Sequence, residues 1–272
     1  MGQQVQLFAV MGQPIAHSLS PVMHNQAFRQ RDWPAFYFPV EAGPDQLPQK
    51  LAAFQSLGGV GANLTRPLKE VIVPLLREAS PWVQRTGACN TIVWREGGWV
   101  GDNTDVQALL EALPPARPGE RALVLGAGGA AQASGVALTE RGYHVTAALR
   151  RPRSLPWATS IIDWDERLQD AEWSVVINAT PLGQAGEESL RHWPRPIPGG
   201  IGVDWVYRPR WTPFLESVRQ SGGRPIDGLT LLVEQARLAW RLWFQETAPA
   251  APMWDAVAPW LDEGMKSENL KE

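Results

Sequence analysis

The sequence predicts an α/β fold of two domains, and three observations carry that expectation. Apolar runs of strand length alternate with helix-patterned segments, the order that builds mostly parallel sheets. Glycine and proline, Gly 25 and Pro 24, are spread along the chain as punctuation. One apolar run, at 121–125, opens directly into Gly126-Ala127-Gly128-Gly129-Ala130-Ala131. A chain of 272 residues is long for one core and sufficient for two. Hydrophobic residues at 44% and charged residues at 19% exclude a disordered chain.

The elements follow in order. Residues 5–11 read as a strand stopped by Gly12-Gln13-Pro14. A helix over 21–31 carries Pro21 in its first turn, where a missing N–H costs nothing, with Ser20 placed to cap it. A strand over 36–40, a helix over 46–57 closed by Gly58-Gly59, a strand over 61–65 and a helix over 67–77 come next. Segments 91–94 and 99–101 flank Glu96-Gly97-Gly98, a hairpin signal. A helix over 103–113 ends in Pro114-Pro115-Ala116-Arg117-Pro118-Gly119, the strongest internal break. Beyond it stand a strand over 121–125, a helix from the Gly-rich turn to Arg141, and a strand over 143–149. The runs 174–178 and 201–206 are continuously apolar, as strands buried on both faces are. A long helix is expected over 229–245 and a last one over 253–261, with Met253, Val257 and Trp260 at helical spacing. The polar tail 264–272 is expected to fray. The domains so defined are 1–103, completed by 233–272, and 104–232.

Charge and cysteine narrow the function classes. Lys+Arg 25 against Asp+Glu 28 leaves a net charge of -3 and no global basic field, so no nucleic-acid partner is expected. The single cysteine, Cys89, cannot form an internal disulfide and reads as a small buried filler in a reducing compartment. No basic leader and no apolar run near the ~18–20 residues that span a bilayer are visible, so a cytoplasmic location away from membranes is expected. His17, His24, His144 and His192 show no metal-ligand spacing with Cys89 or one another, and no metal is expected. His17 and His24 read as structural.

Gly126 to Ala131 is G-x-G-x-x-A with a strand before it and a helix after it. The first glycine permits the tight turn, the second lets backbone approach a pyrophosphate, and the third small residue lets helix and strand pack closely. The helix N-terminus presents free N–H groups to the anion. About twenty residues on, where an NAD site wants a carboxylate, stand Leu149-Arg150-Arg151-Pro152-Arg153. Arginines there suit a 2′-phosphate through bidentate hydrogen bonds and stacking, so the expected cofactor is NADP(H).

The N-terminal third holds polar residues at the ends of elements: His17-Ser18-Leu19-Ser20-Pro21, Asn63-Leu64-Thr65-Arg66-Pro67-Leu68-Lys69, Gly87-Ala88-Cys89-Asn90-Thr91 and Gly101-Asp102-Asn103-Thr104-Asp105. Hydroxyls, amides, a lysine and an aspartate in such places could hold a polyhydroxylated small molecule. Equally, spacing alone leaves Lys69 a solvated helix lysine and Asp105 a dipole-favoured first-turn carboxylate.

With these segments, INATPLG at 177–183, DWVYRPRWTPFL at 204–215 and DGLTLLVEQA at 227–236, the chain resembles the shikimate dehydrogenase family across nearly its full length. The resemblance implies NADPH-dependent, reversible reduction of 3-dehydroshikimate to shikimate, a step of aromatic amino-acid biosynthesis. It implies Lys69 and Asp105 as the catalytic pair and Ser18 and Ser20 on the substrate carboxylate. Asn63, Thr65, Asn90, Asp105 and Gln235 would hold ring hydroxyls, with Tyr207 reaching the substrate. Gly126, Ala127, Gly128, Gly129 and Ala130 would hold the pyrophosphate, and Leu149, Arg150, Arg151, Pro152, Arg153 and Ser154 the adenosine 2′-phosphate. Thr180, Trp205 and Gly228 would lie near the ribose and nicotinamide. The active site is expected in a cleft between the domains of a monomer or homodimer.

Departures from the family pattern are Leu64, Arg66 and Leu68 in the lysine motif, Val106 after Asn-Thr-Asp, Leu149 and Arg151 in the adenine loop, and Thr230-Leu231 where Gly-Met is usual. They leave room for a quinate/shikimate dehydrogenase paralogue, and a non-catalytic NADP-sensing module is the rival from another class. The fourteen tryptophans form no motif; all but Trp205 read as packing.

Overall fold

The structure, a computed structural model, describes residues 5–169, 172–184 and 190–260. Among these the chain divides into two compact units, one of residues 5–104 with 233–260 and one of 105–232. The expected α/β class is what the chain adopts.

The first unit runs β1 (Gln6–Gly12), α1 (Ser20–Gln30), β2 (Ala35–Glu41), α2 (Leu47–Ser56), β3 (Gly59–Leu64), α3 (Leu68–Val71), β4 (Glu78–Ala79), α4 (Pro81–Thr86), β5 (Thr91–Arg95) and β6 (Gly98–Asp102). Its sheet has the order β2-β1-β3-β5-β6-β4. β1 pairs in parallel with β2 and β3, whereas β5 is antiparallel to β3 and β6, so this sheet is mixed. The expected hairpin is present, with Glu96 at φ 47 and Gly97 at φ 81, the positive values a tight two-residue turn needs.

Helix α5 (Thr104–Ala112) leads into β7 (Arg121–Leu125), α6 (Gly129–Glu140), β8 (His144–Leu149), β9 (Ser160–Asp163), β10 (Val175–Asn178), β11 (Ile201–Asp204), α7 (Pro213–Gln220) and β12 (Arg224–Ile226). The second sheet is wholly parallel, with the order β12-β11-β10-β7-β8-β9. This is the doubly wound arrangement, whose switch point lies between β7 and β10. α8 (Gly228–Phe244) and α9 (Ala250–Val257) complete the described chain.

Four expectations change. The helix over 67–77 shrinks to α3 followed by a 3-10 turn at Val73–Leu75. Pro74 has no N–H to donate and its ring opposes a preceding carbonyl, so an α-helix cannot run through it. Ser20 does not cap α1: the helix starts at Ser20 itself, Leu19 occupies the cap position without a side-chain bond, and the Ser20 hydroxyl meets the Tyr37 phenol. The proline-rich segment 114–119 lies inside the second unit, where Ala116 N–H bonds the Arg141 carbonyl at 2.7 Å. The final helix starts at 250 and ends at Val257, where a 3-10 turn over Ala258–Trp260 takes over. The Trp260 side chain and the tail 264–272 lie outside the described residues. β4, β9, β12, α4 and α7 are elements the apolar pattern did not predict. Both helices nonetheless carry a readable start: the Ser80 and Thr212 hydroxyls accept from the N–H groups of Val83 and Leu215.

One face of the first sheet is covered by a cluster of rings. Trp240, fully buried, donates its indole N–H to His24 Nδ1 at 3.0 Å. His24 stacks on Tyr37 with centroids 4.4 Å apart. Trp243 packs on Phe8 at 4.8 Å and donates to the Ile92 carbonyl at 3.0 Å. A Cβ on Gly61 would come within 2.6 Å of the Trp243 indole nitrogen, so a glycine is needed there. The opposite face packs Met11, Leu47, Leu51, Phe54, Leu64 and Ile72. The tryptophan expectation holds for Trp99, Trp157, Trp173, Trp193, Trp240 and Trp243, all buried, but not for Trp211, which is 45% exposed. Cys89 is buried as expected, and burial pushes its thiol up to about 12.

Burial lowers His24 from 6.5 to about 3, so the folded chain holds it neutral with Nδ1 as acceptor. Its contribution to stability is fully present above pH 6.5 and is lost as pH falls toward 3, because the unfolded chain takes up the proton first. Denaturant titrations from pH 8 to pH 4 should therefore show an acid-side loss of stability in the wild type that is reduced in His24→Gln.

Candidate active site

Polar residues in the first unit gather at the carboxyl ends of β1 and β3, the side where α/β sheets receive ligands. The Thr91 hydroxyl is at the centre. It accepts from Asn63 Nδ2 at 3.0 Å, donates to Asn90 Oδ1 at 2.9 Å and lies 3.2 Å from Thr104 Oγ1. Asn90 Oδ1 also takes the Thr104 N–H at 2.8 Å, while Asn90 Nδ2 donates to Thr104 Oγ1 at 3.0 Å and reaches Gln235 Oε1 at 3.5 Å. Asn63 Oδ1 accepts from the Tyr37 hydroxyl at 2.7 Å, and its second amide hydrogen reaches the Asn90 carbonyl at 3.2 Å. All of these residues are buried. With both Asn63 amide hydrogens engaged, the capacity it has left is a lone pair on Oδ1.

Lys69 is half-buried on α3, and its carbonyl accepts the Cys89 N–H at 2.7 Å, which sets the lysine's backbone beside Asn90. Thr65, half-buried, donates its N–H to the Met11 carbonyl at 2.9 Å. Ser18 Oγ accepts the Ser20 N–H at 3.3 Å. Asp105, 3% exposed, is the second residue of α5, directly after Thr104. The segments 87–91 and 101–105 are braced by Asn103 Nδ2, which donates to Thr86 Oγ1 at 3.2 Å and to the Ala88 carbonyl at 2.8 Å.

The second unit places its Gly-rich turn at the switch point. Gly126 has φ 105, and a Cβ there would come within 3.1 Å of the Ala179 carbonyl and of Thr180 Cγ2. Gly128 heads α6 in an extended conformation, and a Cβ on it would meet nothing within 4 Å. An open approach to the α6 N-terminus beside a glycine that must stay glycine fits a dinucleotide pyrophosphate. Ala127, Gly129 and Ala130 are partly exposed in the same turn.

A buried carboxylate organises the loops around it. Asp204 accepts from Asn178 Nδ2 at 2.9 Å, the Val206 N–H at 2.9 Å and the Thr212 hydroxyl at 2.6 Å. Burial pushes its carboxyl up to about 7, while those donors pull it back. Asn178 Oδ1 in turn accepts the Thr180 N–H at 3.1 Å and its hydroxyl at 2.6 Å. Trp205 is tied to α6 by its indole N–H on Ser134 Oγ at 2.9 Å. At Gly228 a Cβ would overlap the Val206 carbonyl, so glycine lets α8 start against that loop. Tyr207 is half-buried, and burial raises its phenol above the ordinary value, Arg208 opposing. Thr230 is occupied with Asp227, which caps α8 by accepting its N–H at 2.9 Å and its hydroxyl at 3.0 Å.

In the adenine loop, Leu149 is 3% exposed within β8 and has only backbone to offer, whereas Arg150, Arg151, Pro152, Arg153 and Ser154 are exposed. A cavity of about 590 Å3 lies alongside, lined by Pro152, Arg153, Ser154, Ile161, Ile162 and Asp163.

Sequence reasoning missed Tyr37, Thr91, Thr104, Asn178 and Asp204 as organising residues. For Asn178 and Asp204 there was a signal: a polar residue ends each of two otherwise apolar strands, at the carboxyl end where ligands bind. Tyr37, mid-strand in an aromatic run, carries no such mark.

Two family models match the chain. The shikimate dehydrogenase substrate binding domain matches residues 10–92, and the shikimate 5'-dehydrogenase C-terminal domain matches residues 228–258. The chain is 38% identical to a shikimate dehydrogenase (NADP(+)) of Salinibacter ruber, covering 93% of this chain and 96% of that one. It is 35% identical to the protein of the same name from Oleidesulfovibrio alaskensis, covering 95% and 97%. Among solved structures it resembles shikimate 5-dehydrogenase of Thermus thermophilus in complex with NADP(H) and shikimate, with TM-score 0.82, 34% identity, and coverage of 94% of this chain and 99% of that one.

Removing the hydroxyl at the centre of the network strands Asn63 Nδ2 in a buried place. Thr91→Val should lower stability by about 1–3 kcal/mol, the cost of leaving a buried donor unmet. Urea unfolding measures it, and Thr91→Ser, which keeps the hydroxyl, should recover most of the loss.

Proposed function

This chain belongs to the shikimate dehydrogenase family, and on that premise we infer that it is an NADP-dependent oxidoreductase that interconverts 3-dehydroshikimate and shikimate. The observation that carries the reading is the chain of buried amides and hydroxyls converging on Asn90, with Lys69 anchored next to it through Cys89. A ring bearing several hydroxyls and one carboxylate suits it in kind.

In this reading Ser18 and Ser20 hold the substrate carboxylate, and the Ser20 hydroxyl turns from Tyr37 to do so. Asn63 accepts from a ring hydroxyl through its remaining lone pair, and Thr65, Asn90, Asp105 and Gln235 take the others, with Tyr207 reaching the substrate. The nicotinamide of NADPH supplies a hydride to the ketone carbon. The Lys69 ammonium hydrogen-bonds the ketone oxygen, offsets the negative charge that develops there and hands over a proton, leaving the alcohol. Asp105 accepts from the neighbouring hydroxyl and orients the lysine. Gly126, Ala127, Gly128, Gly129 and Ala130 receive the pyrophosphate; Arg150, Arg151 and Arg153, with Pro152, Ser154 and the Leu149 backbone, receive the adenosine end. Thr180 and Trp205, on the loops after β10 and β11, and Gly228, at the start of α8, face the ribose and nicotinamide.

The reading carries a small-molecule partner, a cytoplasmic location and a monomer or homodimer. What supports the location is the buried, unpaired-by-disulfide Cys89 and the lack, among the described residues, of a helix long and apolar enough to cross a membrane.

Purified protein offered shikimate or quinate, each with NADP or NAD, should turn over fastest with shikimate and NADP. Failure with all four pairs would overturn the enzyme reading. Lys69→Ala should lose about 10²–10⁴-fold in kcat, the usual weight of a general acid, while NADP binding followed by fluorescence is retained; an active variant would refute the proton-transfer role.

A further inference from the structure

Resting on the NADP(H) reading, we propose that Trp164, which no cofactor motif contains, is a positioning residue for cofactor choice: its indole holds the Arg150 guanidinium ready for the adenosine 2′-phosphate. The parallel register of β8 and β9 pairs Leu149 with Asp163, so Arg150 and Trp164 are the next residues out of two neighbouring strands. The Arg150 guanidinium carbon lies over the Trp164 ring, 5.3 Å from its centroid. Among the described residues, Arg150 is the one of the three loop arginines with a ring beneath it.

Trp164 is itself held from several sides. Asp163 caps the 3-10 turn Trp164–Leu168, accepting the Asp165 N–H at 3.0 Å, and Glu166 returns to the Asp163 N–H at 2.8 Å. The indole packs against the core that contains Leu123, Leu125 and Ala148. Arg167 lies over the same ring at 4.8 Å and donates to the Trp164 carbonyl at 2.7 Å. Its side chain is 12% exposed, so this second cation is fixed close by.

The physical consequence is specific to the phosphate. An exposed arginine samples many rotamers, and a ligand that uses it must freeze them. Stacking on an indole restricts them beforehand and occupies the guanidinium face, leaving its N–H edge for paired hydrogen bonds to phosphate oxygens. Arg167 is paired with Asp165 Oδ1 at 3.6 Å, so the attraction for an anion at that edge is Arg150's own. NAD, lacking the 2′-phosphate, has no group for that N–H edge to bind.

Steady-state kinetics of wild type, Trp164→Ala and Trp164→Phe with both cofactors tests this. Trp164→Ala should raise the KM for NADP about three- to tenfold, by loss of cation–π stacking and ordering, with kcat little changed and the KM for NAD within about twofold. Trp164→Phe should keep most of the wild-type preference, and Trp164→Ala should add little in an Arg150→Ala background. An unchanged NADP-to-NAD preference in Trp164→Ala, an equal rise for both cofactors, or full additivity with Arg150→Ala would overturn the proposal. A wild type that does not favour NADP would overturn the cofactor reading itself, and the proposal with it.

Discussion

The first unit depends on the Thr91 hydroxyl. A buried amide left unpaired costs more than a paired one contributes, so a polar network inside a core tolerates few arrangements. Here the antiparallel register sets Asn63 opposite Thr91, and Thr91 opposite Asp102 on the next strand. A slip of one residue would turn Asn63 to the other sheet face and strand every partner. The same bonds that make the sheet register unique therefore fix the direction of the Asn63 and Asn90 amides. The recognition role proposed for these atoms falls on structural ones because a rigid donor set needs side chains whose rotamers are locked by neighbours.

Asp204 plays the corresponding part in the second unit. It is fully buried at the end of β11 and joins β10, the loop after β11 and the start of α7. Through Asn178 its influence reaches Thr180, against whose methyl Gly126 closes. The Gly-rich turn is usually credited with making a dinucleotide site by itself. In the site proposed for this chain the turn would be one wall, and a buried carboxylate two strands away holds the loop that would form the other.

Much of this is legible in the residues alone. The parallel second sheet, the Gly-rich turn and the arginine loop follow from apolar continuity and from glycine positions with a single steric reason each. The catalytic role proposed for Lys69 is not legible from spacing, since a lysine on a short helix reads as solvated; motif resemblance singles it out. The illegible strands are those too short to show a period, and the illegible polar residues are those whose role is set by tertiary contacts. β4 has two residues and β12 has three, too few for a period. Tyr37 became an organising residue because β2 pairs with β1 at the edge of the sheet, a fact of topology. Pro74 marks in the sequence the place where the expected helix over 67–77 gives way to a 3-10 turn.

The ring cluster of the first unit has a kinetic side. His24 and the Trp240 that donates to it are separated by 216 positions, with the entire second unit threaded between them. During synthesis from the N-terminus the second unit, continuous in the chain, can close as soon as residue 232 has emerged. By then the first unit has its sheet but lacks the indoles that cover one face of it. The part of the chain made first is therefore finished last, and the apolar side of β1 stays open to solvent, and to other chains, for the longest time.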